Sequence, residues 1–464
     1  MTLAALAPAL TGSPLLSAIA EALGTERIRY CQWKGHFRQD RWIAGKGDID
    51  LLVAPESLPR FLEVLRVAGF IQTTSPDDHK LLGTAHYRAP DPESGRMLHI
   101  HVHTRLLIEA ARGLVYRLPF EDALLSSSRP GPLFRVPAPD LEALILVLRT
   151  TVRWASWRKV PAETREELAY LEGLASPRYQ VDMLRRHLRS VGPDLYRRVR
   201  AALNPGVTWR ERFITRWGLT QALGSYVRRP TLVERTIHAT AAAAWHLRGG
   251  PRLDSRARVT AGGHLFVISG TDGSGKSTCT AALAKWLRPH FRVMTAHVGR
   301  PPRSTITRIL GVVLRLAPLP QLRWAWHLSI ARDRYRLVQR AWNFALDGGI
   351  ALTERYPIAP NHALIGPRVR ELAGARPSAL ALRMAAIEEG YYARIPRPEH
   401  VFVLDVDPDV AVRRKTDEPS DYVRTRAELM LRADWSTTKA RRIDAGRSLE
   451  AVIADLRKLL WEAL

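Results

Sequence analysis

Two groups of residues in this 464-residue chain are spaced for chemistry on phosphates and metal ions. The first is Gly270-x-x-x-x-Gly275-Lys276-Ser277, continued by Thr278. Glycines at Gly270, Gly273 and Gly275 admit positive φ and let the backbone approach an anion closely. The successive N–H groups of this loop, Ser274 included, then point at phosphate oxygens from a helix start. Lys276 stands where a lysine reaches the β- and γ-phosphates, and Ser277 where a hydroxyl ligates Mg2+. The pattern implies a bound nucleoside triphosphate. The second group is Asp48-Ile-Asp50, which follows Gln32-Trp33-Lys34-Gly35 after an interval of twelve residues. A spacing of two puts Asp48 and Asp50 on one strand face, as carboxylates sharing a divalent cation require. Lys34 and Lys46 are the cations that could meet a triphosphate there. Further on, His99, His101 and His103 alternate and so share one strand face.

These groups need elements to hold them. Residues 265–268 are apolar and β-branched, as in a buried parallel strand, and apolar residues recur at helical spacing over 281–287. Strand before and helix after is the context that a true phosphate loop demands. Residues 49–53 and 97–103 read as strands, and 58–68 as an amphipathic helix closed by Gly69. The segment 129–139 is dense in proline and marks a boundary. From there to about 245 the pattern is helical, with Leu141, Leu144, Ile145 and Leu148 on one face. A glycine-rich linker follows over 247–263. The expected organisation is an α/β domain over 1–130, an arginine-rich helical region with its linker over 131–262, and a second α/β domain over 263–464, with a parallel sheet flanked by helices.

Length alone requires two or three domains. The formal charge is +25. Residues 1–130 are near balance with 15 basic and 14 acidic side chains, so the excess lies in 131–262 and 263–464, at +12 each. Such an excess suggests anionic partners: nucleotides, phosphorylated substrates, nucleic acid or an acidic surface. The two cysteines, Cys31 and Cys279, are far apart, which argues for a reducing compartment and against structural disulfides or structural zinc. The uncharged first twenty residues lack a basic leader and are broken by Pro8 and Pro14, so they read as a first helix rather than a secretion signal. No run is long enough to span a bilayer. A cytoplasmic protein is expected.

Residues 264–464 resemble the thymidylate kinase family of nucleoside monophosphate kinases. The loop 270–278 carries Asp272 where that family has an aspartate near the metal and the transferred phosphate, although Ser269 stands where it often has glutamate. Gly299-Arg300-Pro301-Pro302 is similar to its arginine- and proline-containing loop beside the acceptor. Ala331-Arg-Asp-Arg-Tyr335 resembles its internal Asp-Arg helix, which makes Arg334 an acceptor contact; Arg332, Arg336 and Arg340 form a ridge four residues apart. Ile350-Ala-Leu-Thr-Glu-Arg-Tyr-Pro357 resembles the strand ending in Asp-Arg-Tyr, with Glu354 replacing the aspartate. The resemblance implies a metal ligand in Glu354 and a charge-neutralising residue in Arg355. Residues 401–415 are similar to the strand and helix before the family's lid, which makes Arg413, Arg414 and Lys415 lid candidates, with Arg426 beyond them. ATP and Mg2+ are the implied cofactors, and a homodimer is compatible with the resemblance. The segment after Tyr356 departs from the family's base-reading stretch, so the acceptor is expected to be a nucleotide or a sugar-type metabolite, a small anionic or hydroxylated molecule.

The N-terminal α/β region resembles the nucleotidyltransferase superfamily in its glycine turn and its Asp48-x-Asp50 strand. The superfamily's third carboxylate is missing from 98–104, where the three histidines stand. Histidine in the acid's place, a degenerate binding module and a purely structural role all remain open. The leading expectation for the whole chain is an ATP- and Mg2+-dependent phosphotransferase. The alternatives are a nucleotide-gated protein that binds nucleic acid or an acidic glycan, and a nucleotidyltransferase acting through the N-terminal domain.

Overall fold

Strands over the first hundred residues and apolar runs beyond residue 264 build the main sheets of two units, Met1–Ser255 and Arg256–Leu464, and Leu107–Glu109 pairs with Val115–Arg117 as a separate two-stranded sheet in the first. The computed structural model describes residues 13–43, 47–74, 83–110, 115–153, 160–227, 256–358, 361–438 and 440–464, together with 233, 236 and 240. Lys46 and much of the linker at 247–263 lie outside the described residues.

In the first unit, β1 (Tyr30–Lys34), β2 (Ile49–Val53), β3 (Ile71–Thr74), β4 (Thr84–Pro90) and β5 (Met97–His103) lie in the order β1-β2-β5-β4-β3. Only the β2–β5 pair is parallel. Helix α1 (Pro14–Thr25) begins under a Ser13 cap, and α2 (Leu58–Val67) buries Phe61 and Leu65. Gly69 follows α2 at φ +79°, which ends the helix without Cβ strain. The helix α3 (Pro139–Arg153) is buried nearly all round. Its leucines join Cys31, Trp33 and Leu52 in one core with Leu168, Leu184, Val199 and Leu219 from the helices that follow.

In the second unit β6 (Leu265–Gly270), β7 (Val293–His297), β8 (Ile350–Glu354), β9 (His400–Asp405) and β10 (Ala440–Asp444) form an all-parallel sheet in the order β7-β8-β6-β9-β10. The first strand is therefore central, and the chain reverses its direction of travel across the sheet there. In open parallel sheets that switch point leaves a crevice beyond the strands' C-terminal ends. Every residue of β6 is buried. Leu265 and Val267 pack with Val338, Ala341 and Ala345 of α4 (Pro320–Leu346). Phe266 stacks on Phe402 at 5.9 Å. Burying each such side chain contributes about 1.5–3 kcal/mol, which fixes β6 and hence the loop that leaves it. Among the described residues no helix is long and apolar enough to cross a membrane.

Candidate active site

The loop leaves β6 at Gly270 and enters α5 (Lys276–Leu287) through Gly275, the helix N-cap, at φ +87°. Gly270 (φ +144°) and Gly273 (φ +83°) are required twice over. A Cβ on Gly270 would lie 2.7 Å from Leu404 O, and one on Gly273 would lie 2.6 Å from Ala411 O. Ser274 Oγ donates to Thr271 O at 2.9 Å and tightens the turn. Lys276 is only 6% exposed, and its ammonium donates to Thr271 O. Burial is the largest influence on it and pulls its pKa down from 10.5 to about 8; Arg426 and Lys415 add to the fall, against Glu354 and Glu418.

The carboxylate expected at the end of the third strand is there. Glu354, 8% exposed, accepts from Ser277 Oγ at 2.8 Å. The two residues that could share a divalent cation are thus already adjacent. Beside them Arg355 has φ +54°, a left-handed backbone that costs a non-glycine residue about 1–2 kcal/mol. This conformation follows β8 directly, and the Arg355 side chain pairs with Asp272 in the loop. Arg426, from α8 (Ser420–Arg432), pairs with the other oxygen of Asp272 at 3.3 Å. The Nε atoms of Arg355 and Arg426 are buried without a hydrogen-bond partner. Two guanidinium groups with donors to spare, next to a buried ammonium and a cradle of backbone amides, suit a polyphosphate. The site therefore fits both groups that the sequence pattern implies, a nucleoside triphosphate and its divalent cation.

The three expected acceptor contacts converge on the turn after β7 but differ in kind. Arg300 is exposed, and its N–H donates to His297 O at 3.1 Å. Gly299 abuts Arg355, since a Cβ there would lie 2.9 Å from Arg355 Cδ. Arg334 is 6% exposed and is tied down by its neighbours. It donates to Val298 O at 3.0 Å and Ile365 O at 2.9 Å, and it also meets the Tyr392 hydroxyl. The carbonyls of Val298 and Gly299 among its partners belong to the turn after β7. Asp333, next to it, accepts from Ser304 N–H and Thr307 Oγ1 and so anchors the start of α6 (Thr305–Leu316).

Of the lid candidates, Arg413 and Arg414 end α7 (Pro408–Arg414), which Asp407 caps. Arg413 is exposed. Arg414 donates to Ala445 O at 2.9 Å and lines a cavity of about 250 Å³ beside the phosphate loop. Gly273, Gly275, Thr278, Ala445 and Arg447 line the same cavity. Lys415 pairs with Asp417 at 2.6 Å. Arg447 and Ala445 are absent from the sequence-based set. They follow the fifth parallel strand, at the edge where such sheets bind ligands, and that strand carries little sequence signal.

In the first unit, Asp48 precedes β2 and Asp50 lies within it, both facing the β5 histidines. Asp48 accepts from His99 Nδ1 at 2.6 Å. Asp50 contacts Lys34 Nζ at 3.0 Å, His103 Nε2 at 2.9 Å and His101 Nδ1 at 3.2 Å. Burial opposes ionisation of both acids. The His99 hydrogen bond nonetheless brings Asp48 down to about 2, and Lys34 holds Asp50 well below the usual carboxylate range. Burial pushes His99 down to about 4, so at neutral pH it is a neutral ring donating to a carboxylate.

No family model matches the chain. Among curated proteins it is 28% identical over 212 residues to a thymidylate kinase of Thiobacillus denitrificans, covering 43% of this chain and 97% of that enzyme. It is also 28% identical over 209 residues to a thymidylate kinase of Symbiobacterium thermophilum, covering 42% of this chain and 92% of the relative. Together with the parallel sheet and the loop at its switch point, these matches support a thymidylate-kinase-like P-loop kinase domain, a kinase-type phosphotransferase at the level of the family.

Proposed function

We propose that the chain is an ATP- and Mg2+-dependent phosphotransferase that moves the γ-phosphoryl group to a small nucleotide or sugar-type acceptor. The observation that carries this reading is the Ser277–Glu354 contact at 2.8 Å beside the buried Lys276. Backbone amides of 270–278 and Lys276 would bind the triphosphate, and Ser277 with Glu354 would hold the cation. That cation, when bound, supplies charge neutralisation across the phosphates. Asp272 orients Arg355 and Arg426, whose free N–H donors stabilise charge developing on the transferred group. Arg414 and Arg447 border the cavity past Thr278 and would hold the nucleoside end of the donor there. Arg300, exposed at the turn after β7, would contact the acceptor, and Arg334 holds that turn in shape. Phosphoryl transfer asks for positioning and electrostatics rather than covalent catalysis, and these residues supply both.

The test is ADP release by purified full-length protein with ATP, Mg2+ and a panel of nucleoside monophosphates and sugars. Acceptor-dependent ADP release that Lys276→Ala reduces about a hundredfold or more is the expected result. Release that no acceptor stimulates, together with an inert Lys276→Ala substitution, would overturn the reading. The N-terminal unit enters it as a nucleotidyltransferase-like module built around Asp48 and Asp50. Transfer of α-labelled phosphate to a product, lost in Asp48→Ala, would give that unit a catalytic role of its own.

A further inference from the structure

The histidines of the first unit have no part in the phosphoryl transfer above, and three of them lie close enough together to hold a metal ion. Strand register sets His86 opposite His101, and His101 opposite Asp50, across three adjacent strands. One ring nitrogen from each of His86, His99 and His101 lies within 4.8 Å of the other two. His99 turns Nδ1 to Asp48 at 2.6 Å, and its Nε2 lies 3.2 Å from His86 Nδ1. His101 turns Nδ1 to Asp50 at 3.2 Å. Its Nε2 is buried with no hydrogen-bond partner, 3.8 Å from Asp48 Oδ2.

Two rings are thus oriented alike. A carboxylate takes Nδ1–H, which fixes the tautomer and leaves Nε2 with its lone pair, the arrangement that supports metal-bound histidines. Asp50 is already occupied by Lys34, His101 and His103, so it serves as an orienting group rather than an open ligand. The side chain of Asp48 is 48% exposed, which gives the cluster an opening to solvent.

We propose that His86, His99 and His101, steadied by Asp48 and Asp50, bind a divalent transition ion of the zinc or cobalt class in preference to Mg2+. Imidazole nitrogen suits such ions, whereas Mg2+ demands oxygen in a near-ideal octahedron. Metal–nitrogen bonds of about 2.0–2.1 Å in a tetrahedral site need nitrogens about 3.4 Å apart; the His86–His99 pair at 3.2 Å is already near that spacing, and the third nitrogen lies within 4.8 Å of both. The inference is independent of the kinase reading, since no residue of the second unit takes part.

The experiment uses the full-length protein, stripped with a chelator, free of nucleotide and titrated with Co2+ in excess Mg2+. One equivalent of Co2+ should develop the intense visible absorption of low-coordinate cobalt, and Zn2+ should abolish it by displacement. His101→Ala should lose the band, and Asp48→Asn should weaken Co2+ binding about 10- to 100-fold. His86→Ala, on the neighbouring strand, provides a second variant, and circular dichroism of each checks the fold. The absence of any such band in the wild-type protein overturns the proposal. So does a band of equal strength in folded His101→Ala or His86→Ala, or one that Mg2+ displaces.

Discussion

Lys276 allows the phosphate site to be read through a proton. Its ammonium is buried, donates to Thr271 O and forms no ion pair among the described residues. Burial, with Arg426 and Lys415, holds its pKa at about 8 rather than 10.5. A polyphosphate beside Nζ favours the charged form, so binding takes up a proton wherever the pH lies between the free and bound values. Full restoration from about 8 to 10.5 corresponds, at about 1.4 kcal/mol per unit, to about 3 kcal/mol, a few hundred-fold in affinity. The sign is definite. Below about 8 the amine is already charged and the apparent Kd for ATP is flat; above it, Kd rises by up to about tenfold per pH unit. Ligand-free stability runs the other way. The unfolded amine keeps its proton up to 10.5 while the folded one sheds it near 8, so this group's penalty is full below about 8 and is relieved as pH rises towards 10.5. Calorimetry of MgATP binding at about pH 7 and about pH 9, in buffers of different ionisation enthalpy, measures the uptake directly. Lys276→Met should abolish the uptake, weaken ATP binding and raise ligand-free thermal stability. No uptake at the higher pH, or uptake that survives in Lys276→Met, would refute the argument.

Other consequences are accessible to the same protein. Asp272→Asn strands Arg355 and Arg426; breaking a buried pair costs about 3–5 kcal/mol, and the partial exposure of both arginines puts the expected loss near about 3 kcal/mol, read by chemical denaturation. A loss indistinguishable from zero would mean the arginines do not depend on that carboxylate. Gly273→Ala forces a Cβ to 2.6 Å from Ala411 O at φ +83°, so thermal melting should fall and ATP binding should fail together; a variant that binds ATP normally would contradict the close approach. Glu354→Gln should shift the Mg2+ requirement of ADP release to at least about tenfold higher concentration while leaving the fold intact, as seen in a Mg2+ titration at saturating ATP. An unchanged Mg2+ dependence would remove Glu354 from the cation site.

The parts of this molecule legible in its sequence are those encoded locally. The phosphate loop, the strand before it and the helix after it are contiguous, and glycine positions and β-branched runs give them directly. Asp48 and Asp50 are legible for the same reason, since residues two apart along extended chain face the same way. What depends on distant partners was not legible. Nothing near Arg334 announces that its guanidinium holds Val298 O and Ile365 O. The pairing of Asp272 with Arg355 and Arg426 joins residues more than 80 positions apart. His86 joins the histidines only through the register of β4 on β5. The fifth strand of the second sheet, Ala-Arg-Arg-Ile-Asp, is an edge strand with just one buried side chain. Its sequence lacks alternation, and the cavity residues Ala445 and Arg447 went unseen with it.

The helix Pro139–Arg153 has practical weight for anyone dividing the chain. It shares the first unit's core with strands and helices on either side of it in sequence, Cys31 and Trp33 before, Leu184 and Leu219 after among them. An expression fragment that stops at the proline-rich stretch near residue 130 would leave β1 and β2, which bear Lys34 and Asp50, without their apolar cover. Such a fragment should aggregate, whereas one carried through Val227 retains the cover.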